Sequence, residues 1–216
     1  MKVIFATTNN RKLEDLNSVI KDKNLDLQVI SLADINWDRG EIEETGLTIE
    51  ENSLIKARAV LDFCKAHNIE YPIITDDAGL FVEALSGKPG VYTARYADYE
   101  ISLNPDLPKY YALYKLLNNM KNIQNRNAEY RCCVTIIQSD GSYLQFTEKT
   151  IGYISEQINE PIKKPYFYSL FVDSKTNIPF NQLSHEQLKD TYRFKALKAG
   201  LTQLNSELNK NKKALL

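Results

Sequence analysis

The 216-residue chain carries 27 basic and 28 acidic residues for a formal net charge of −1, a balance that gives no case for a generic nucleic-acid or membrane surface. It is long enough to bury a substantial core, either as one domain over residues 1–216 or as two small lobes. No segment approaches the roughly 18–20 apolar residues that a membrane-spanning helix needs.

Residues 1–6 form too short an apolar run for a signal peptide, so we expect a cytoplasmic protein. The cysteines, Cys64, Cys132 and Cys133, lack metal-site spacing. Cys132 and Cys133 are adjacent and would face opposite sides of a strand, as reduced packing residues do.

In chain order, residues 2–6 are mostly apolar and predict a buried strand. Thr7, Thr8, Asn9, Asn10, Arg11 and Lys12 follow, and then Leu13, Leu16, Val19 and Ile20 recur at helical spacing. Such a turn, with Lys12 in the first helical turn, is either an anion cradle or an ordinary N-cap. It has no glycine and is not a P-loop. Residues 27–32 predict a second strand, and residues 34–47 an acidic loop containing Glu41, Glu43 and Glu44. Thr48-Ile-Glu-Glu51 is a capping box opening a helix with an apolar stripe of Leu54, Ile55, Ala57, Val60, Leu61 and Cys64. Asn52 and Lys56 share a face of that helix, where Lys56 is either solvated or an anion ligand. His67, at the helix C-terminus, is expected to face solvent.

Residues 71–74 read as a buried strand end, followed by Asp76, Asp77 and a turn at Gly79. A Gly-Lys-Pro-Gly turn over 87–90 comes next, and then Arg95 between Tyr92 and Tyr96. Carboxylates at a strand end beside a turn are where open α/β sheets hold ligands and metals; the alternative is a strand exit with solvated acids. Residues 107–120 predict a helix, and 128–138 and 143–151 two strands joined by a hairpin at Ser139-Asp-Gly-Ser142. Residues 166–172 predict a short aromatic strand. Ser184 is expected to cap a final long helix running from His185 towards Leu208, with residues 209–213 as a frayed tail.

Carboxylates with flanking lysines suit Mg²⁺ and a polyphosphate, because Mg²⁺ takes few carboxylates and shares phosphate oxygens. An aspartate beside them could accept a proton from water. The histidines are only His67 and His185, which supports neither a Ser-His-Asp arrangement nor zinc chemistry.

Three motifs in order carry a resemblance. They are Ala6-Thr7-Thr8-Asn9-Asn10-Arg11-Lys12; Glu43-Glu44-Thr45-Gly46 through Glu51-Asn52-Ser53-Leu54-Ile55-Lys56-Ala57; and Asp76-Asp77-Ala78-Gly79-Leu80 through Gly87-Lys88-Pro89-Gly90-Val91-Tyr92-Thr93-Ala94-Arg95-Tyr96. With them the sequence resembles the Ham1/RdgB/ITPase family of non-standard purine nucleoside triphosphate pyrophosphatases, which act on inosine and xanthosine triphosphates. The resemblance implies an α/β, ITPase-like (Maf/Ham1) fold with a long mixed central sheet, helices on both sides and two lobes around a cleft. It further implies a homodimer, Mg²⁺, and cleavage between the α and β phosphates in a nucleotide-pool sanitising role.

By the same resemblance, Asp77 is the proton acceptor, and Asp76 and Lys56 join it as catalytic residues. Glu43, Asp76 and Asp77 are the expected metal ligands. Thr7, Thr8, Asn9, Lys12, Asn52, Ala78, Arg95, Tyr168, Lys189, Tyr192 and Arg193 are expected to bind substrate. The C-terminal half departs from the pattern. The family's Phe-Gly-Tyr-Asp-Pro-Ile-Phe strand stands here as residues 166–171, Tyr-Phe-Tyr-Ser-Leu-Phe, and its Ser-His-Arg as Thr191-Tyr192-Arg193. Since a site that hydrogen-bonds a base edge loses discrimination when those groups go, altered base choice is an alternative. A Maf-like pyrophosphatase and a catalytically inactive nucleotide-binding relative are the others.

Overall fold

The computed structural model describes residues 1–214, with side chains described for 1–207. The chain divides into two compact units. One comprises Met1–Asp77, Cys132–Glu148 and the chain from Arg193 onward; the other comprises Ala78–Arg131 and Lys149–Tyr192.

The first unit is built on parallel strands β1 (Lys2–Phe5) and β2 (Gln28–Ile30), paired Lys2 with Gln28 through Ile4 with Ile30. The start of β3 (Ile73–Val82) pairs parallel with β1, Ile4 opposite Ile73 and Phe5 opposite Ile74. Helices α1 (Asn10–Asp22) and α2 (Ile49–Ala66) follow β1 and the acidic loop. The α2 stripe Ala57, Val60, Leu61 and Cys64 packs with Ile4, Ile30, Ile35 and Ile73 in one buried cluster. The expected capping box is present: the Thr48 hydroxyl accepts from Glu51 N–H while the Glu51 carboxylate accepts from Thr48 N–H. The unit also holds the C-terminal part of β5 (Asn127–Ile137), the N-terminal part of β6 (Tyr143–Ile154) and the long helix α6 (Tyr192–Ala214). Along the sheet the strand order is β2-β1-β3-β5-β6 and then β7 (Phe171–Asp173).

The second unit contains the rest of β3, β5 and β6 with β7, and β4 (Pro89–Gly90), which runs antiparallel to β3. It also holds α3 (Asp98–Leu103), α4 (Tyr111–Asn119) and α5 (His185–Leu188).

Several expectations are corrected. The acids do not end a strand: β3 continues through Asp76, Asp77 and Gly79 to Val82. Gly79 is not a turn, because β4 runs so close there that any side chain would collide with the Gly90 carbonyl. The 166–172 segment divides into a 3-10 turn over Tyr166–Ser169 and the short β7. Ser184 caps only the four-residue α5, with Gln187 completing its N-terminal capping box; α6 starts afresh at Tyr192. The backbone of residues 209–213 belongs to α6 rather than to a tail. Strand β2, helix α4 and both hairpin strands lie within their expected segments or overrun them by a few residues. The three cysteines are buried and free, and His67 sits exposed at the α2 C-terminus with its ring stacked on Phe63.

Candidate active site

Strand alternation sends Asp76 and Asp77 to opposite faces of β3, and the two carboxylates meet different partners. Asp76 is 2% exposed and lies between two cations. Lys12 Nζ, from the first turn of α1, donates to Asp76 Oδ1 at 2.9 Å, and the Arg193 guanidinium, from the first turn of α6, donates to Oδ2. Arg193 Nε also lies 3.9 Å from Asp15, one turn along α1 from Lys12. Burial opposes the Asp76 charge, but Arg193, Lys12 and Lys56 outweigh it and hold the carboxyl well below the usual carboxylate range.

Asp77 faces α2. Lys56 Nζ stands 3.5 Å from Asp77 Oδ1 and 3.0 Å from Glu44 Oε1. Burial pushes the Asp77 carboxyl above the usual range; Lys56 opposes this and the nearby Glu44 adds to it. Burial likewise works against the Lys56 ammonium, but Asp77, Asp76 and Glu44 prevail and raise its pKa, so it stays protonated. The neighbouring aspartates thus differ in environment: one carboxyl is held below the usual range by its cations, and the other is pushed above it by burial.

The Thr7–Lys12 turn is an N-cap first. Asn9 Oδ1 accepts from Arg11 N–H at 3.0 Å, and Thr7 Oγ1 accepts from Asn9 N–H at 3.1 Å. Thr8 and Asn9 remain exposed beside it. Asn52 is fully buried, and its Oδ1 accepts the Gly46 N–H at 2.8 Å, which ties the acidic loop to α2. Among the described residues, Asn52 Nδ2 and Asp77 Oδ2 are buried atoms without a hydrogen-bond partner.

Glu43 is exposed, and its neighbour Glu44 meets Lys56. Asp15 is invisible to motif reading, and only its i+3 spacing from Lys12 hints that it shares that face.

The expected substrate residues of the second unit lie as follows. Ala78 follows Asp77 in β3 and is half-buried, while Arg95 is exposed with its guanidinium 5.9 Å from the Tyr92 ring centre. Lys189 pairs with Glu186 at 2.9 Å. Tyr168 and Tyr192 are core residues: their hydroxyls bond each other at 2.7 Å, and both rings pack on Tyr130 and Phe180.

Each oxygen of Asp76 already meets a cation, so a further cation is better served by Asp77, whose Oδ2 has no partner, and by Glu44. No group of three or more acidic, histidine or cysteine side chains among the described residues could by itself hold a metal. Among the described residues, Lys12 and Arg193 pair with Asp76, Arg193 approaches Asp15, and Lys56 pairs with Glu44 and Asp77.

The sequence model of the Ham1 family matches residues 3–203. The chain is 32% identical over 200 residues to the dITP/XTP pyrophosphatase of Bacillus subtilis, covering 91% of this chain and 93% of that protein. It is 35% identical over 155 residues to the dITP/XTP pyrophosphatase of Acholeplasma laidlawii, covering 72% of this chain and 69% of that protein. Among solved structures, the Staphylococcus aureus Ham1 protein aligns with a TM-score of 0.76 at 28% identity, covering 98% of this chain and 100% of that one.

Proposed function

The chain belongs to the Ham1 family, and from that premise we propose that it hydrolyses the non-standard purine nucleotides ITP, dITP and XTP to the monophosphate and pyrophosphate. The observation that carries this reading is the division of labour between Asp76 and Asp77. A carboxylate of raised proton affinity, held beside a lysine that stays charged, is what general-base attack by water requires. In this reading the Asp77 carboxylate accepts the water proton, and Lys56 and Lys12 hold the phosphates. Arg193 and Asp76 fix the position of Lys12. Asn52 Nδ2 and the exposed edge of the 7–12 turn, with Thr8 and Asn9, offer donors to phosphate oxygens. Mg²⁺, held by Asp77 and Glu44, would neutralise phosphate charge and lower the pKa of the attacking water. We further propose a cytoplasmic homodimer that clears the nucleotide pool.

A second reading concerns the base. The residues aligned with the family's base-reading groups include Tyr168 and Tyr192, which are buried and whose hydroxyls bond each other at 2.7 Å, in place of the family's glycine–acid–proline strand and histidine. This favours a base preference different from that of the named relatives. The test is pyrophosphate release from a panel of triphosphates with Mg²⁺, for wild type and Asp77→Asn. Release from ITP, dITP and XTP above ATP and GTP, lost in the variant, supports the first reading. Turnover restricted to another base supports the second, and binding without turnover refutes both.

A further inference from the structure

Next to the acids on β3 lies a buried polar layer. Ser53 of α2, Thr75 of β3 and Thr135 of β5 are each fully buried. Thr75 Oγ1 donates to the Ser53 carbonyl at 2.7 Å, which uses its one proton. Ser53 Oγ must therefore be the donor in its 3.1 Å contact with Thr75 Oγ1. Thr135 Oγ1 in turn donates to Ser53 Oγ at 2.7 Å. Gln145 Nε2 of β6 donates to Thr135 Oγ1 at 3.0 Å and to the Glu50 carbonyl at 2.8 Å. The chain of donors runs in one direction, from Gln145 through Thr135 and Ser53 to Thr75, and ends on a helix carbonyl.

Its position matters more than its strength. Thr75 and Asp77 are two apart on β3 and face the same side; Ser53 and Lys56 are three apart on α2 and lie on one face. Ser53 with Thr75 and Lys56 with Asp77 are thus successive rungs between one helix and one strand. The first rung is dry, directional and made of short side chains with few rotamers. The second joins a long flexible lysine to a carboxylate at 3.5 Å, a geometry that does not hold itself.

We propose that Ser53, Thr75 and Thr135 are positioning residues that set the register of α2 on β3 and so hold Lys56 against Asp77. This rests on the reading of Asp77 and Lys56 given above. Misplacement by about 1 Å can cost about 100-fold in rate, so the inference predicts a kcat effect without a matching loss of substrate binding.

The test is Thr75→Val, which keeps the shape and removes the hydroxyl. Its kcat should fall about 10- to 100-fold with KM changed less than about threefold, and Thr75→Ser should restore it. Ile154→Val, a core change on β6, should lose stability and keep kcat. Crystal structures of wild type and Thr75→Val supply a readout that needs no turnover, with Lys56 Nζ expected to leave hydrogen-bonding reach of Asp77 only in the variant. An unmoved Lys56, or a kcat equal to wild type, overturns the inference. Inactive wild type refutes the function and leaves the crystallographic comparison to decide the positioning. Should Thr75→Val fail to fold, Thr135→Val carries the same test; failure of both assigns the layer to folding and overturns the inference.

Discussion

Asp76 and Asp77 are adjacent in sequence, yet Lys12 reaches the first at 2.9 Å while Lys56 approaches the second at 3.5 Å from another helix. One peptide unit separates two electrostatic environments, and the burial that both share acts in opposite ways. At Asp76 two direct cations overcome it, and at Asp77 a single more distant one does not.

Asp77→Asn should abolish turnover while raising metal-free thermal stability at neutral pH. The folded-state pKa of Asp77 is raised, so its contribution is fully present below the unfolded value and is lost as pH rises through the folded one. At pH 7 the native site therefore carries an unfavourable charge, which the amide removes. Melting temperatures of both proteins in a chelator, across pH 4 to 8, check this; a variant less stable than wild type at pH 7 contradicts it.

Asp76→Asn should be destabilising by about 3–5 kcal/mol at neutral pH, because it leaves Lys12 and Arg193 around a buried neutral group. Here the sign is the reverse. The folded pKa is depressed, so stability is present above the unfolded value and lost as pH falls through the folded one. Urea unfolding should show the gap between wild type and variant narrowing below about pH 4.

Glu44→Gln and Glu43→Gln should separate the two loop carboxylates. The first removes a partner of Lys56 and a proposed cation ligand, and the Mg²⁺ needed for half-maximal turnover should rise about tenfold or more. The second alters an exposed side chain and should leave the titration unchanged. Mg²⁺ titrations of initial rate make the comparison.

The Tyr168–Tyr192 pair invites a double-mutant cycle. Each single Phe substitution removes the 2.7 Å hydroxyl–hydroxyl bond and should cost about 0.5–1.5 kcal/mol, and the double variant should cost less than the sum of the two. If either hydroxyl reads a base, its Phe variant should also change the ranking of triphosphates; an unchanged ranking confines the pair to the core.

The sequence was most legible where a local rule had no competitor. Thr48 and Glu51 announced α2, and Asp140-Gly141 announced the hairpin; both stand as expected. It misled where burial overrode local chemistry. Two carboxylates and a glycine suggested a strand ending, but ion pairing on both faces and the close approach of β4 let β3 run straight through them. Glu43 and Glu44 could not be told apart from residue type alone. Tyr168 and Tyr192 matched reading positions by alignment, but nothing local revealed that each would satisfy the other inside an aromatic cluster.

The capping box of α2 fixes a phase as well as an end. Asn52, Ser53 and Lys56 are counted from Thr48, and each residue turns a helix by about 100°. Deleting or inserting one residue between cap and lysine would carry the ammonium away from both carboxylates, whatever residue was involved. Over the two turns from Thr48 to Lys56, a change of length would disturb the site more than a substitution at a residue that makes no contact there. An alignment gap there is the surest sign of a relative that has abandoned the chemistry.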